Sequence, residues 1–484
     1  MNGAARRLGT MNDTFDVLVI GGGTAGLVTA SGCARLGRRV ALVEREALGG
    51  DCLWTGCVPT KALVATARLA QRMRNAAAFG LGPAAEPVDP KAIMESMHAA
   101  QRITAKHDDP QRFSDLGIEV IEGAARFVSR DSVAVNGRLL RAKDVVIATG
   151  SRTAVPPVAG LQECGFLDHV SFLRQDSIPD SVLILGGGAI GIEFAQIFRR
   201  FGAKVTVVEM FDDILVREDA AVIARVRQIL EEEGVEIHAG WTAKSARAEG
   251  GGKVLRIEAK NGETRTLRAA EIFVAAGRRG NIEELGLDAA AVRTERSYVA
   301  VNKYLQTSSP RIWACGDVHG GLQFTHVAAY EALKLVRNLL FPGRSAVDYE
   351  HVPWAIYVDP EVAHIGMTEA EAHAAGNDVR VYQTEMLDVD RAVVERATGG
   401  LVKFVCDAKG RILGAHAVCP DASSLIETIV LARKQGVRIG EIARLVWPYP
   451  SFGDALSTAA SGYYRDLGTG RLGALARRVA AWSQ

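Results

Sequence analysis

The sequence predicts an α/β fold: two doubly wound domains on parallel sheets, with a smaller α+β domain towards the C-terminal end. Three observations predict it. A strand, glycine turn, helix and strand occur in that order twice, a short two-cysteine motif follows the first copy, and beyond residue 350 the chain turns to short alternating β-type runs.

The first copy is DVLVIGGGTAGLVTASGCARLGRRVALVERE. Val17 to Ile20 reads as a buried strand. Gly21, Gly23 and Gly26 form a G-x-G-x-x-G turn into a helix, and Val40 to Val43 is a second strand ending at Glu44. Such glycines let backbone approach a pyrophosphate at the helix N-terminus. Glu44 falls at the offset of about 20 residues expected of a carboxylate that binds a ribose hydroxyl. The second copy is SVLILGGGAIGIEFAQIFRRFGAKVTVVEMFDD, with Gly186, Gly188 and Gly191 at the turn and Val205 to Val208 leading to Glu209. Two complete fingerprints imply two Rossmann-like dinucleotide-binding domains and two dinucleotides. A carboxylate at Glu209 accepts from a 2′-hydroxyl and repels a 2′-phosphate, and no Arg follows at once, so the second site is expected to prefer NADH to NADPH.

Between the copies lies Gly49-Gly50-Asp51-Cys52-Leu53-Trp54-Thr55-Gly56-Cys57-Val58-Pro59-Thr60-Lys61. Two cysteines at this spacing, just past a nucleotide-binding crossover, suggest a redox-active disulfide against a bound cofactor. In a regular helix they would be displaced by about 7.5 Å along the axis, whereas a disulfide wants Cα atoms roughly 4.4–6.8 Å apart. The backbone between them is therefore expected to be distorted, with Gly56 as the permissive residue. Pro59 suits a first helical turn, which puts Cys57 near a helix N-terminus, where backbone dipoles favour a thiolate.

Composition excludes several classes. Lys and Arg number 57 against 56 Asp and Glu, a net charge of +1, so no basic field is available for nucleic acid. No apolar run reaches the roughly 18 residues of a membrane span. Residues 1–14 lack an apolar signal core and read as a disordered leader, with Met11 a plausible alternative start. Seven cysteines, with no framework spacing beyond Cys52 and Cys57, fit a reducing cytoplasm. Cys33, Cys164, Cys315, Cys406 and Cys419 read as packing thiols, and no metal-ligand cluster is expected.

In motif content and order the chain resembles the FAD-dependent pyridine nucleotide-disulfide oxidoreductases, the group of dihydrolipoamide dehydrogenase, glutathione reductase and mercuric reductase. The resemblance runs from about Phe15 to Asp466 through the first fingerprint, GGDCLWTGCVPTK, VVIATGS, the second fingerprint, FVAAGRRGN, TSSPRIWACGDV, VPWAIYVDPEVAHIGMTEAEA and WPYPSFGDAL. It implies FAD at the first site and NAD(H) at the second. It implies that Cys52 is the interchange thiol, that Cys57 lies against the flavin, and that Lys61 lies near the flavin and pairs with Glu193. Asp317, Thr149 and Gly150 would lie along the FAD; Gly277, where FVAAGR echoes the earlier VVIATG strand end, reads as the close of the NAD domain and as one of its NAD-binding residues. The division it suggests is residues 15–155 and 281–350 for FAD, 156–280 for NAD, 351–466 for a dimerisation domain and 467–484 for a tail, in a homodimer.

One departure bears on function. Disulfide-acting members place a His, backed by a Glu, opposite the disulfide, in a pattern close to His-Pro-Thr-x-x-Glu; this chain has Tyr449-Pro450-Ser451-Phe452-Gly453-Asp454. A phenol titrates near 10 and imidazole near about 6.5, so Tyr449 donates a hydrogen bond but does not readily take a thiol proton, and Asp454 is a shorter carboxylate. Mercuric reductases share a Tyr-type ending but add a Cys-Cys pair that GTGRLGALARRVAAWSQ lacks. In that tail Leu472, Leu475, Val479 and Trp482 fall on one helical face, with Arg471, Arg477 and Arg478 elsewhere, so it either packs on the dimer or makes peripheral membrane contact. The expectation is an NADH-dependent FAD oxidoreductase passing electrons through Cys52–Cys57 to a small-molecule or lipoyl-type disulfide acceptor, dihydrolipoamide dehydrogenase-like or mercuric reductase-like. The alternatives are a flavin-level reductase of quinones or small electrophiles, and a redox-sensing or assembly flavoprotein with negligible turnover.

Overall fold

The structure, a computed structural model, describes residues 14–82 and 88–469. The expected amphipathic tail helix lies outside them, as does the leader apart from Thr14, which opens the first strand. The chain's contacts group into two compact units. Among the described residues the first comprises 14–62, 95–154 and 277–348, and the second 63–82, 88–94, 155–276 and 349–469.

The first unit is built on a mainly parallel sheet. Its strand order is Ile118–Glu122, Val40–Glu44, Thr14–Ile20, Arg138–Ile147, then Ser132–Val135 and Arg126–Phe127. The long strand Arg138–Ile147 serves two partners. Its first half pairs antiparallel with Ser132–Val135, and its last residues pair parallel with Ile312–Ala314. The central strands are apolar runs because both faces are covered. Leu18, Ile20, Val43 and Ile147 pack into one core cluster, and Val17, Val19, Leu42 and Val146 into another. Helix Thr24–Arg35 returns the chain from the first strand to the second, and helix Thr325–Leu340 follows the last.

The second unit repeats the device. Four parallel strands run in the order Glu236–Ala239, Lys204–Glu209, Ser181–Leu185, Glu271–Val274. Helix Ala189–Arg200 makes the crossover, and Phe194 and Phe198 pack with Phe172 and Phe273 in edge and tilted ring contacts. Its later part carries a five-stranded antiparallel sheet, ordered Pro353–Ile356, Glu361–Gly366, Ile412–Cys419, Leu401–Asp407, Val379–Glu385. One face of that sheet is covered by helices Ala422–Lys434 and Asp454–Thr469, burying Ala363, Ile365, Phe404, Ala415, Ile426 and Leu456. The string LVKFVCDAKGRILGAHAV forms paired strands of this sheet, in line with the β-type runs expected beyond residue 350, and SSLIETIVLARKQ forms the helix Ala422–Lys434.

Candidate active site

The two glycine fingerprints adopt one geometry twice. Gly21 sits at φ +107° and Gly186 at +114°, and the N–H of each donates to the end of the following strand, at Val43 and Val208. A Cβ on Gly26 would lie 1.8 Å from the Gly21 carbonyl oxygen, and one on Gly191 2.0 Å from that of Gly186. Only glycine lets helix and strand approach so closely. Glu44 accepts from the Gly22 N–H at 2.6 Å, and Glu209 accepts from the Gly187 N–H at 2.6 Å. Each carboxylate is thus held at the end of its strand, over the turn.

The helices that follow fit an anionic ligand. Their N-cap residues, Gly23 and Gly188, supply no side-chain cap, and neither first turn carries an acidic residue. Beside Gly188 a Cβ would meet nothing within 4 Å, and beside Gly23 nothing closer than 3.9 Å. Uncapped N–H groups facing open space at a dipole's positive end suit a pyrophosphate.

In the first unit the cysteine motif is broken as the spacing requires. Helix Gly50–Trp54 ends at Thr55, and a second helix runs Cys57–Arg74. The left-handed conformations fall on Gly49 and Gly50, at φ +100° and +56°. Gly56 is needed for a different reason: its Cβ would meet the Asp51 carbonyl oxygen at 2.9 Å. The break brings the two thiols into hydrogen-bond contact. The bond from Cys52, assisted by Thr325 and the Lys61 ammonium against the opposing effect of burial, holds the Cys57 thiol down at about 6. Its sulfur also lies 3.1 Å from the Thr325 hydroxyl. Cys52 is pushed well above the ordinary thiol range, first by that same bond and then by burial. The arrangement favours the thiolate on Cys57, at a helix N-terminus, over one on Cys52.

Around it the first unit assembles a polar chain. The Arg278 guanidinium donates through Nη2 to Asp51 at 2.7 Å and through Nε to the Ser151 hydroxyl at 2.7 Å. Ser151 donates in turn to Asp317 at 2.7 Å. Burial raises the Asp317 carboxyl, against the pull of Arg278. Thr149 donates to the Asn281 carbonyl oxygen at 2.8 Å, and the Gly150 carbonyl accepts from the Asn281 N–H. Gly277, at φ +120°, accepts from Ala154 where strands Ser151–Thr153 and Arg278–Gly280 pair. It groups with the first unit.

In the second unit Glu193 is buried and accepts from the Tyr357 N–H at 2.8 Å. Tyr449 is 75% exposed, and its hydroxyl donates to Asp390 at 2.5 Å. That bond raises the Tyr449 phenol above its ordinary value. Asp454 instead accepts from the Ser451 N–H at 3.2 Å. The sequence reading missed Arg278, Ser151, Thr325 and Asp390 as members of these networks. Only Arg278 and Ser151 carried a signal, standing inside the quoted strings FVAAGRRGN and VVIATGS.

Two dinucleotide folds, one leading into a paired-cysteine helix start, define a flavoprotein that works with a pyridine nucleotide. Comparison with known proteins agrees. Residues 15–332 match the family model of pyridine nucleotide-disulphide oxidoreductases, and residues 352–460 match that family's dimerisation domain. The chain belongs to this family, whose members use FAD and NAD(P)H. It is 33% identical to a dihydrolipoyl dehydrogenase of Bacillus subtilis over 93% of this chain and 98% of that one. It is 31% identical to a mercuric reductase of Bacillus cereus over 94% of this chain and 72% of that one. Among solved structures, the HOCl-induced flavoprotein disulfide reductase RclA of Escherichia coli, as its Cu(II) complex, superposes with a TM-score of 0.84 at 29% identity, covering 93% of this chain and 99% of that one. The protein is an NAD(P)H-dependent FAD oxidoreductase, and its dimerisation domain supports a homodimer. No helix among the described residues is long and apolar enough to cross a membrane.

Proposed function

We propose that this enzyme is an NADH-dependent disulfide oxidoreductase in which Cys52 and Cys57 form the redox couple and Cys52 meets the acceptor. The observation that carries the reading is the geometry of the motif: a helix break sets Cys57 at the start of helix Cys57–Arg74, just past Cys52, with its sulfur 3.1 Å from the Thr325 hydroxyl. The FAD, when bound, supplies two-electron transfer from the nicotinamide. The glycine turns and the carboxylates Glu44 and Glu209 hold the two dinucleotides; Asp317, Thr149 and Gly150 line the first, and Glu209 favours NADH.

The chain's own residues then manage protons and sulfur. For Cys52 to attack a disulfide acceptor it must lose its proton, and the base nearest at hand is the Cys57 thiolate to which it already donates. The Cys52 thiolate displaces one acceptor sulfur and forms a mixed disulfide. Cys57 passes that proton to the departing thiolate and, again a thiolate, attacks Cys52; the second acceptor sulfur leaves as a thiolate that takes a proton from solvent, and the Cys52–Cys57 disulfide closes. Lys61 and Thr325 favour the Cys57 thiolate before it takes that proton and after it has passed it on. Tyr449 donates rather than accepts, which leaves the couple without the imidazole base of disulfide-acting members. The acceptor class follows the relatives, a lipoyl-type disulfide or a thiophilic metal ion such as mercuric ion. A reducing cytoplasm belongs to this reading, in keeping with buried free thiols at Cys33, Cys315, Cys406 and Cys419.

The exposed Tyr449, tied to Asp390, favours a second reading in which electrons leave at the flavin for a quinone or small electrophile. Turnover of NADH by wild type and Cys52→Ala, each with lipoamide and with a soluble quinone, separates the two. Lipoamide reduction by wild type alone supports the thiol couple. Quinone reduction that survives in Cys52→Ala, with lipoamide inert in both proteins, overturns it.

A further inference from the structure

The antiparallel sheet of the second unit carries a line of polar side chains across it. Trp354, His364, His416, Lys403 and Gln383 are successive cross-strand partners. They stand on the face opposite the apolar cluster under the two helices. Against this row lies the segment that ends at Glu218 and Asp219, just before helix Ala220–Glu232. Glu218 is 7% exposed, His364 1% and His416 0%. One ligand-capable atom from each of these three lies within 4.8 Å of those of the other two.

Their hydrogen bonds leave electron pairs confronting one another. His364 Nε2 is 2.8 Å from the Gly366 carbonyl oxygen, and His416 Nε2 is 3.1 Å from that of Met367. Each ring must donate there, since a carbonyl only accepts. The Nδ1 atoms therefore carry lone pairs. That of His364 faces a carboxylate oxygen of Glu218 at 3.1 Å. That of His416 is buried and has no hydrogen-bond partner at all. The other oxygen of Glu218 accepts from the Trp354 indole at 2.6 Å, so the carboxylate is held in place. A proton between His364 and Glu218 would reconcile one pair of atoms and leave His416 bare.

We infer that Glu218, His364 and His416 form a binding site for one divalent transition-metal ion of the zinc class, away from the cysteine couple. Two imidazoles and one carboxylate are a ligand set that zinc accepts, and each imidazole is oriented by a backbone carbonyl on its far nitrogen, the usual outer-shell arrangement of metal-bound histidine. Charge agrees. Lys403 is held by Asp219 at 2.7 Å and Glu369 at 2.6 Å, so with Glu218 and neutral imidazoles the cluster carries a formal −2, which a divalent ion cancels. The three ligands come from positions far apart in sequence, which is why no ligand spacing announced them. The ion would pin the 218–219 segment to the sheet.

The test uses FAD-loaded protein made in zinc-supplemented medium, with Cys52→Ser and Cys57→Ser introduced so that the thiol couple cannot bind the ion. The expected result is about one zinc per chain by elemental analysis, with a zinc-edge absorption spectrum showing nitrogen and oxygen neighbours at about 2.0 Å. Zinc is expected to fall at least ten-fold in Glu218→Gln, which keeps an acceptor for Trp354, and in His364→Phe, with flavin content checking that each has folded. No zinc in the parent, zinc retained by Glu218→Gln, or a sulfur shell at about 2.3 Å would overturn the assignment.

Discussion

Removing the Cys52 thiol tests where the acidity of Cys57 comes from. Cys57 stands at about 6 against an ordinary thiol value of 9.0, and the hydrogen bond from Cys52 is the largest cause, ahead of Thr325 and Lys61. At pH 7 a thiol of pKa about 6 is about nine-tenths ionised, whereas one at 9.0 is about one-hundredth ionised. In Cys52→Ala the donor is lost while burial, which opposes ionisation, remains. The midpoint is expected to climb by at least about one unit, so that half or less of Cys57 is thiolate at pH 7. The sign follows from the lowered pKa: the thiolate is present above the folded-state midpoint and is lost as pH falls through it. The assay is thiolate ultraviolet absorbance of the reduced protein against pH, with Cys57→Ser subtracting the flavin and the other cysteines. Alkylation rates at Cys57, located by mass spectrometry, give a second reading. An unchanged midpoint near 6 in Cys52→Ala would refute the reasoning and shift the cause to Thr325, Lys61 or the helix N-terminus.

Three further outcomes are expected. Gly191→Ala puts a methyl 2.0 Å from the Gly186 carbonyl oxygen, where no flexible side chain can give way; it should cost about 1–3 kcal/mol in urea unfolding and weaken NADH binding in a fluorescence titration. Glu209→Ala removes the carboxylate proposed to repel a 2′-phosphate, and the ratio of kcat/KM for NADPH over NADH should rise about ten-fold, the worth of a charged hydrogen bond. Tyr449→His supplies an imidazole where the phenol is raised by Asp390, and lipoamide turnover should increase about 10²-fold with a new dependence on pH near neutrality. No gain there would show that position 449 does not serve the thiol couple.

What the sequence disclosed and what it withheld follow from the range of each interaction. The fingerprints were legible because their steric demand is local: Gly26 against Gly21, and Gly191 against Gly186, are five residues apart. The helix break between Cys52 and Cys57 was legible from disulfide geometry, although Gly56 serves close approach to Asp51 while the positive φ falls on Gly49 and Gly50. Partnerships between distant segments were not legible. Nothing near Cys57 announces Thr325, nothing near Asp51 announces Arg278, and Tyr449 finds Asp390 rather than the local Asp454. The row from Trp354 to Gln383 depends on the register of five strands, which residue patterns alone do not fix.

The central claim, that the cysteines are a working redox couple in series with the dinucleotide sites, is tested most directly by counting electrons. Anaerobic titration with NADH under a regenerating excess should reduce wild type by two two-electron equivalents per chain, with two new thiols trapped by alkylation at Cys52 and Cys57. Cys52→Ala should accept one. If wild type also accepts only one, and its Cys52–Cys57 disulfide stays intact while the flavin is reduced, the couple is not in the electron path and the account is contradicted.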